Sequence, residues 1–110
     1  MSSKAVELFT AVPRQHNCAQ AVAAGFGRED LMEELAACGG GRAPEGLCGA
    51  LHAALLIVPE ACRARARQDF IDFAGADTCF TLKMRNRTPC IRCVEKAAEL
   101  VARFGIKKTI

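Results

Sequence analysis

The sequence predicts an all-α fold: a single-domain bundle of five or six short helices around one central buried helix. Hydrophobic residues make up 51% of the 110 residues and aromatic residues only 5%, with neither Trp nor Tyr. Many of the apolar residues are Ala, which suits close-packed helices, whereas strands favour aromatic and β-branched residues. Apolar positions also recur every three or four residues in several segments. A chain of this length forms one domain, 1–110, around one core.

Start and stop signals place the first four helices. The pattern predicts helices over 4–12, over 17–26 and over 28–38, the last ended by the glycines at 39–41. The segment 47–58 carries no charged residue. A helix without a polar face is buried on all sides, so we expect this segment to be the central helix.

Two longer helices and one short segment follow. The helix after Pro59 is predicted to end at Gly75 and to place Cys62, Ala66, Phe70 and Phe73 on its core stripe. A short segment opens at Cys79. The last helix, 89–104, turns one apolar face inward, formed by Cys90, Cys93, Val94, Ala97, Val101 and Phe104.

Four cysteines coincide with predicted helix starts, and they are Cys18, Cys48, Cys79 and Cys90. Asn17 is an N-cap before the first of them, and Thr88-Pro89 supplies a cap and a first helical residue before the last; Asp77 or Thr78 caps the segment at Cys79. A helix N-terminus carries partial positive charge and unpaired N–H groups, which favour thiolate over thiol. Four such ends around one site suit an iron–sulfur cluster, a metal ion or a reactive dithiol.

Composition and charge exclude several function classes. The odd count of seven cysteines, without a secretory segment, predicts metal or redox chemistry in a reducing cytoplasm. The longest apolar run, 50–58, is too short to span a membrane. The net charge of +3 comes without base-stacking aromatics, which disfavours nucleic acid and leaves an acidic redox partner protein or a homo-oligomer. No catalytic constellation is visible, so an electron carrier is favoured over an enzyme.

The remaining cysteines and the histidine beside the central site have simpler interpretations. Cys38, Cys62 and Cys93 are interpreted as packing residues, and His52 as a buried, hydrogen-bonded core histidine. Cys90 and Cys93 form a Cys-x-x-Cys at a helix start, so a thiol–disulfide protein or sensor is one alternative. A structural zinc module is another, although zinc sites usually gather two close ligand pairs, whereas the four helix-start cysteines are 30, 31 and 11 residues apart.

The order of these landmarks resembles that of the redox-active proteins named for their C-GCAxxG-C-C cysteine pattern. The resemblance spans about residues 15–102 and rests on five landmarks: Asn17-Cys18-Ala19-Gln20, Gly39-Gly40-Gly41, Cys48-Gly49-Ala50, Cys79, and Cys90 with the later Val94, Ala97, Ala98, Glu99 and Leu100. One departure is Ala53, which stands where the last glycine of the motif would fall.

That family is also similar to the cluster-bearing part of split-Soret cytochromes, in which four cysteines accompany an iron–sulfur centre. The resemblance implies Cys18, Cys48, Cys79 and Cys90 as ligands of a 2Fe-2S or 4Fe-4S cluster, with Cys90 preferred to Cys93 because the later landmarks align with it. The haem chemistry of those cytochromes is not implied, since the chain has no Cys-x-x-Cys-His sequence.

Overall fold

The computed structural model describes residues 3–11, 16–38, 43–85 and 88–105, and in these ranges the all-α prediction is confirmed. These described ranges contain seven α-helices rather than five or six, because the short segment at Cys79 is a helix of its own. The helices are α1 Ser3–Thr10, α2 Cys18–Gly25, α3 Met32–Leu35, α4 Gly49–Ile57, α5 Arg63–Ala74, α6 Cys79–Met84 and α7 Cys90–Phe104. Within the described ranges, none of them combines the length and the apolar composition that a membrane crossing requires.

The helix α4 is the centre of the bundle, as its lack of charge predicted. It packs against α2, α5 and α7, while α1 covers α2 and α7 from the other side. Its residues Ala50, Leu51, Ala53, Ala54 and Ile57 are fully buried. Small side chains let the helices approach closely: a Cβ atom on Gly25 of α2 would lie 2.9 Å from the backbone nitrogen of Ala5 in α1. The core is therefore built on helix-to-helix contact through Ala and Gly.

Asn17 starts α2 and also fixes α3 beside it. Its side-chain oxygen accepts the Gln20 N–H at 2.7 Å, and the Gln20 side chain accepts the Asn17 N–H at 3.1 Å, which forms a capping box. The Asn17 amide group also donates to the carbonyls of Leu35 at 2.9 Å and Ala36 at 3.2 Å. The predicted N-cap is confirmed, and one side chain holds two helices.

The same contact explains why α3 is much shorter than the predicted 28–38. Glu29–Leu31 is a 3-10 turn, and the α-helix that follows ends at Leu35. Asn17 caps the last carbonyls of α3, and the chain tightens there through a Cys38 N–H bond to Leu35 of 3.0 Å. The predicted glycine stop at 39–41 lies outside the described residues.

The structure corrects the predicted core stripe of α5. Cys62 belongs to a 3-10 turn, Glu60–Cys62, that precedes α5, and it is only half-buried. The buried face of α5 is formed by Ala66 and Phe70, as predicted, and by Ala74. Phe73 lies off this face and is 51% exposed. The prediction that Cys62 and Phe73 are core residues is therefore wrong, whereas Gly75 ends α5 in the left-handed conformation (φ 89°) as predicted.

Replacing Asn17 tests its double role. Asn17→Ala removes the cap of α2 and the two bonds to α3, and we expect a loss of about 2 kcal/mol in the free energy of unfolding. Asn17→Ser keeps a cap acceptor but is too short to reach α3, so about half of that loss is expected. Urea denaturation of both variants measures the difference. If both variants lose the same unfolding free energy, the cap of α2 contributes nothing to stability. If Asn17→Ser is as stable as the wild type, the bonds to α3 contribute nothing.

Candidate functional site

The four predicted cysteines lie at four helix starts. Cys18, Cys79 and Cys90 are the first residues of α2, α6 and α7, and Cys48 is the N-cap residue of α4. One pocket brings all four together. Its lining also includes a fifth cysteine and three other residues, and the complete lining is Cys18, Cys48, Gly49, Cys79, Leu82, Thr88, Cys90 and Cys93.

Backbone hydrogen bonds hold the starts of α4 and α6 side by side. Leu47 and Thr78 form an isolated antiparallel bridge, and the Cys48 N–H donates to the Asp77 carbonyl at 2.8 Å. The Asp77 carboxylate is fixed by Arg67, whose Nε and Nη2 atoms both lie 2.8 Å from one of its oxygens. As a result, two cysteines that are 31 residues apart in sequence line the same cavity.

The starts of α6 and α7 are joined in a similar way. Thr78 is the N-cap of α6, as predicted, because its hydroxyl accepts the Thr81 N–H at 3.4 Å. Thr88 does not cap α7. Its N–H donates to the Leu82 carbonyl at 2.8 Å, and Pro89, with an extended ψ of 145°, is the N-cap residue. The predicted Thr88 cap is wrong, but the contact with Leu82 places Cys90 beside α6.

Gly49 allows α4 to begin directly against Cys18. A Cβ atom at this position would lie 2.9 Å from Cys18 Sγ and 2.7 Å from the Cys38 carbonyl oxygen. Both distances are too short for a side chain of any kind. Gly49 therefore sets the width of the pocket, whereas Ala53, the departure from the resembled motif, is buried in the core and is not part of the lining.

Burial outweighs the helix ends in setting the protonation of Cys18. Burial, together with smaller charge repulsion from the neighbouring Cys48 and Cys90, raises the pKa of this thiol to about 11. The backbone N–H groups of Ala50 and Ala19 act in the opposite direction. The N–H groups at the helix starts lower the pKa of Cys18, as expected, but by less than burial raises it. Cys18 is a neutral thiol at neutral pH, and a bound cation would have to displace its proton.

Cys48 and Cys93 both line the pocket. Hydrogen bonding to the Cys93 side chain and then burial raise the pKa of Cys48. The N–H groups of Leu51 and Ala50 lower that pKa without closing a regular cap hydrogen bond. Cys93 is 3% exposed, as a packing residue would be, yet it also lines the site. Sequence analysis missed this role, although Cys93 follows Cys90 by nearly one helical turn.

Three other candidate residues lie outside this lining. Cys38 is buried at the end of α3, with its Sγ 3.8 Å from the Glu34 carbonyl oxygen, and Cys62 is half-buried before α5. Burial lowers the pKa of His52, while the Glu34 carboxylate raises it. His52 is half-buried rather than buried as predicted, and it is not part of the pocket lining.

A set of thiol donors alone is compatible both with a zinc ion and with an iron–sulfur cluster. A tetrahedral zinc ion needs four sulfurs about 2.3 Å from one point. Among the described residues, no three His, Cys, Asp or Glu side chains are arranged to hold a single ion. A polynuclear cluster is bound by thiolates that lie further apart. The cavity of about 20 Å³ has room for one water-sized molecule, so a cluster would require the thiols to rotate outward.

Comparison with protein-family models, with curated proteins and with solved structures gave no match for this chain. The resemblance to the C-GCAxxG-C-C proteins therefore stays a prediction from the cysteine pattern.

Gly49→Ala tests the contact that sets the pocket width. The added methyl group must displace Cys18 Sγ or the Cys38 carbonyl, and we expect a loss of about 1–3 kcal/mol in unfolding free energy. We also expect faster labelling of Cys18 by a thiol reagent under native conditions, measured by mass spectrometry after brief exposure.

Gly25→Ala is the matched control, because its methyl group would meet the backbone of Ala5, away from the thiols. It should cost similar stability and leave the labelling order of the cysteines unchanged. An undisturbed Cys18 in Gly49→Ala would contradict the role assigned to Gly49.

Proposed function

We propose that the protein is a small redox protein that holds one iron–sulfur cluster through Cys18, Cys48, Cys79 and Cys90 and passes single electrons to a partner protein. The observation that carries this proposal is the convergence of these four thiols, from four helix starts, on one pocket. Buried free cysteines are common as packing residues, but packing gives no reason for four of them to begin helices at the same place. The resemblance to the C-GCAxxG-C-C proteins agrees with this assignment.

The chain would stabilise the ligands through its helix starts. The N–H groups of Ala50 and Ala19 are directed to Cys18, and those of Ala50 and Leu51 to Cys48. Such donors offset negative charge on cluster thiolates and influence the reduction potential. A bound cluster supplies reversible one-electron transfer. Core residues such as Leu82 exclude water from one side of the site.

A redox partner would approach where the site meets solvent. Cys18, Cys79 and Cys90 are half-buried, whereas Cys48 is fully buried, so the pocket has an accessible side. The arginines of α5 attract an acidic partner less strongly than the sequence alone suggests, because two of them bind groups within the protein. Arg63 donates to the Leu55 carbonyl at 2.7 Å and Arg67 binds Asp77, so within α5 Arg65 is the arginine that projects to solvent. An acidic partner remains our proposal on the net charge of +3.

A thiol–disulfide protein is the second candidate, and hydrogen bonding of Cys48 to the Cys93 side chain favours it. This pairing differs from the Cys90/Cys93 dithiol that the Cys-x-x-Cys sequence predicts.

Metal and sulfide analysis of anaerobically prepared protein separates the candidates. We expect brown protein with broad sulfur-to-iron absorption and stoichiometric iron and acid-labile sulfide. Colourless protein with one tightly bound zinc ion would replace the proposal with the zinc module. Colourless, metal-free protein that fails to take up iron and sulfide on reconstitution, but whose thiols oxidise reversibly, would replace it with the dithiol.

Single Cys→Ser variants identify the ligands. Serine oxygen is a harder ligand that suits iron–sulfide chemistry poorly, so replacing Cys18, Cys48, Cys79 or Cys90 should abolish or destabilise the chromophore. Cys38→Ser and Cys62→Ser are the matched controls outside the pocket and should keep full absorption per mole of folded protein.

Cys90→Ser and Cys93→Ser are the decisive pair. We expect the first to lose the cluster and the second to keep it. The reverse result would move the fourth ligand to Cys93, and full cluster content in both would refute the four-cysteine site.

A further inference from the structure

The short helix α6 carries two large apolar side chains that folding leaves exposed. Among the residues that the structure describes, Phe73, Phe80 and Met84 are the large hydrophobic residues that are at least half exposed. Two of the three belong to α6, which has only six residues. Phe80 is 69% exposed and Met84 is 66% exposed. Because they are four residues apart, they lie on one face of the helix.

The same helix also lines the thiol pocket. Leu82, which is two residues from both Phe80 and Met84, is buried and belongs to the lining. Two residues along an α-helix correspond to a rotation of about 200°, so the exposed face is turned away from Leu82. Cys79, directly before Phe80, also lines the pocket and is half-buried. A protein that contacts Phe80 and Met84 is therefore separated from the pocket by one helix, about 10 Å across.

The segment around these two residues has a positive charge. Residues 78–94 include four basic residues and neither Asp nor Glu; the basic residues are Lys83, Arg85, Arg87 and Arg92. Arg92 is paired with Glu95 at 3.2 Å. Arg85 is exposed and takes part in no ion pair between residues that the structure describes. An uncompensated arginine therefore accompanies the exposed face of α6.

We propose that Phe80, Met84 and Arg85 form the docking surface for an acidic one-electron carrier protein. The proposal rests on the proposed function, because it assigns the surface through which the cluster exchanges electrons. One electron leaves the reduced carrier and enters the cluster, and no bond forms or breaks. Phe, Met and Arg are enriched in protein–protein interfaces, and acidic groups on the carrier complement the positive charge of this segment.

Charge and position favour this occupant over two others. A second copy of the chain, joined through the same surface, would bring the two Arg85 side chains together, and like charges across an interface weaken binding. An anionic membrane would complement the charge but gives no reason for the surface to lie on a helix that lines the thiol pocket. Two exposed apolar side chains make a small contact, which is typical of electron-transfer encounters.

Titration calorimetry with two acidic carriers, a plant-type ferredoxin and a flavodoxin, tests the docking. The two carriers have different cofactors, so a shared response reports on their acidic surfaces. The protein is used free of metal and under anaerobic conditions, so that the result does not depend on the cluster. We expect both carriers to bind, and the affinity to fall as the salt concentration is raised. Failure of both carriers to bind, or binding that salt does not weaken, would overturn the proposal.

Variants of exposed residues locate the surface. Phe80→Ser/Met84→Ser should weaken binding about tenfold, because buried aromatic contacts dominate interface energies. Phe73→Ser is the matched control, since it changes an exposed aromatic residue of α5. Arg85→Gln should weaken binding and its salt dependence, whereas Arg65→Gln, at an exposed position of α5, should leave both unchanged. If the two α5 variants weaken binding as much as the α6 variants, the assigned surface is wrong.

The other two occupants are tested on the protein alone. We expect it to sediment as a monomer and not to float with phosphatidylglycerol vesicles. A dimer that Phe80→Ser/Met84→Ser abolishes would assign the surface to a second copy and overturn the proposal. Vesicle binding that the same variant abolishes would overturn it in favour of an anionic membrane.

Electron transfer separates the docking from the proposed function. Anaerobic stopped-flow mixing of cluster-loaded protein with reduced flavodoxin should reduce the cluster, and the rate at low flavodoxin concentration should fall about tenfold in Phe80→Ser/Met84→Ser. Equal rates in wild type and variant would show that electrons enter elsewhere and would overturn the proposal. If the wild-type protein takes up no cluster, the proposed function is wrong, and the calorimetry on metal-free protein still decides the docking surface.

Discussion

The approach of α4 to Cys18 is the contact on which the rest of the site depends. It requires Gly49, because a side chain there would collide with both Cys18 Sγ and the Cys38 carbonyl. The same helix start is held from the other side by the Cys48 N–H bond to Asp77, which aligns it with α6. One helix end therefore joins the parts of the chain that carry Cys18, Cys48 and Cys79.

The pocket balances two opposing electrostatic effects. Burial disfavours the charged thiolates, and backbone N–H groups at helix starts favour them. Burial is the larger effect, since the pKa of Cys18 rises to about 11 and that of Cys48 is also raised. The protein thus keeps the Cys18 and Cys48 thiols neutral. A bound metal centre would have to displace these two protons.

Local signals in the sequence were sufficient for several helix ends but not for the contacts between helices. Asn17, Thr78 and Gly75 act within a few residues of their own position, so the cap or stop predicted at each is confirmed. The shared pocket depends on the Leu47–Thr78 bridge and on the packing of α7 against α4, which no local pattern encodes. Cys62 lies outside the core because it belongs to a 3-10 turn before α5, and Ala74 takes the buried position predicted for Phe73.

Iron K-edge X-ray absorption of the anaerobically loaded protein tests the central claim most directly. Four thiolates around one polynuclear centre predict iron surrounded by sulfur alone, with a second shell of neighbouring iron atoms. That pattern should appear with stoichiometric iron in wild-type protein. Iron bound to oxygen or nitrogen, with no iron–iron shell, would show that the pocket of helix-start cysteines does not hold an iron–sulfur cluster.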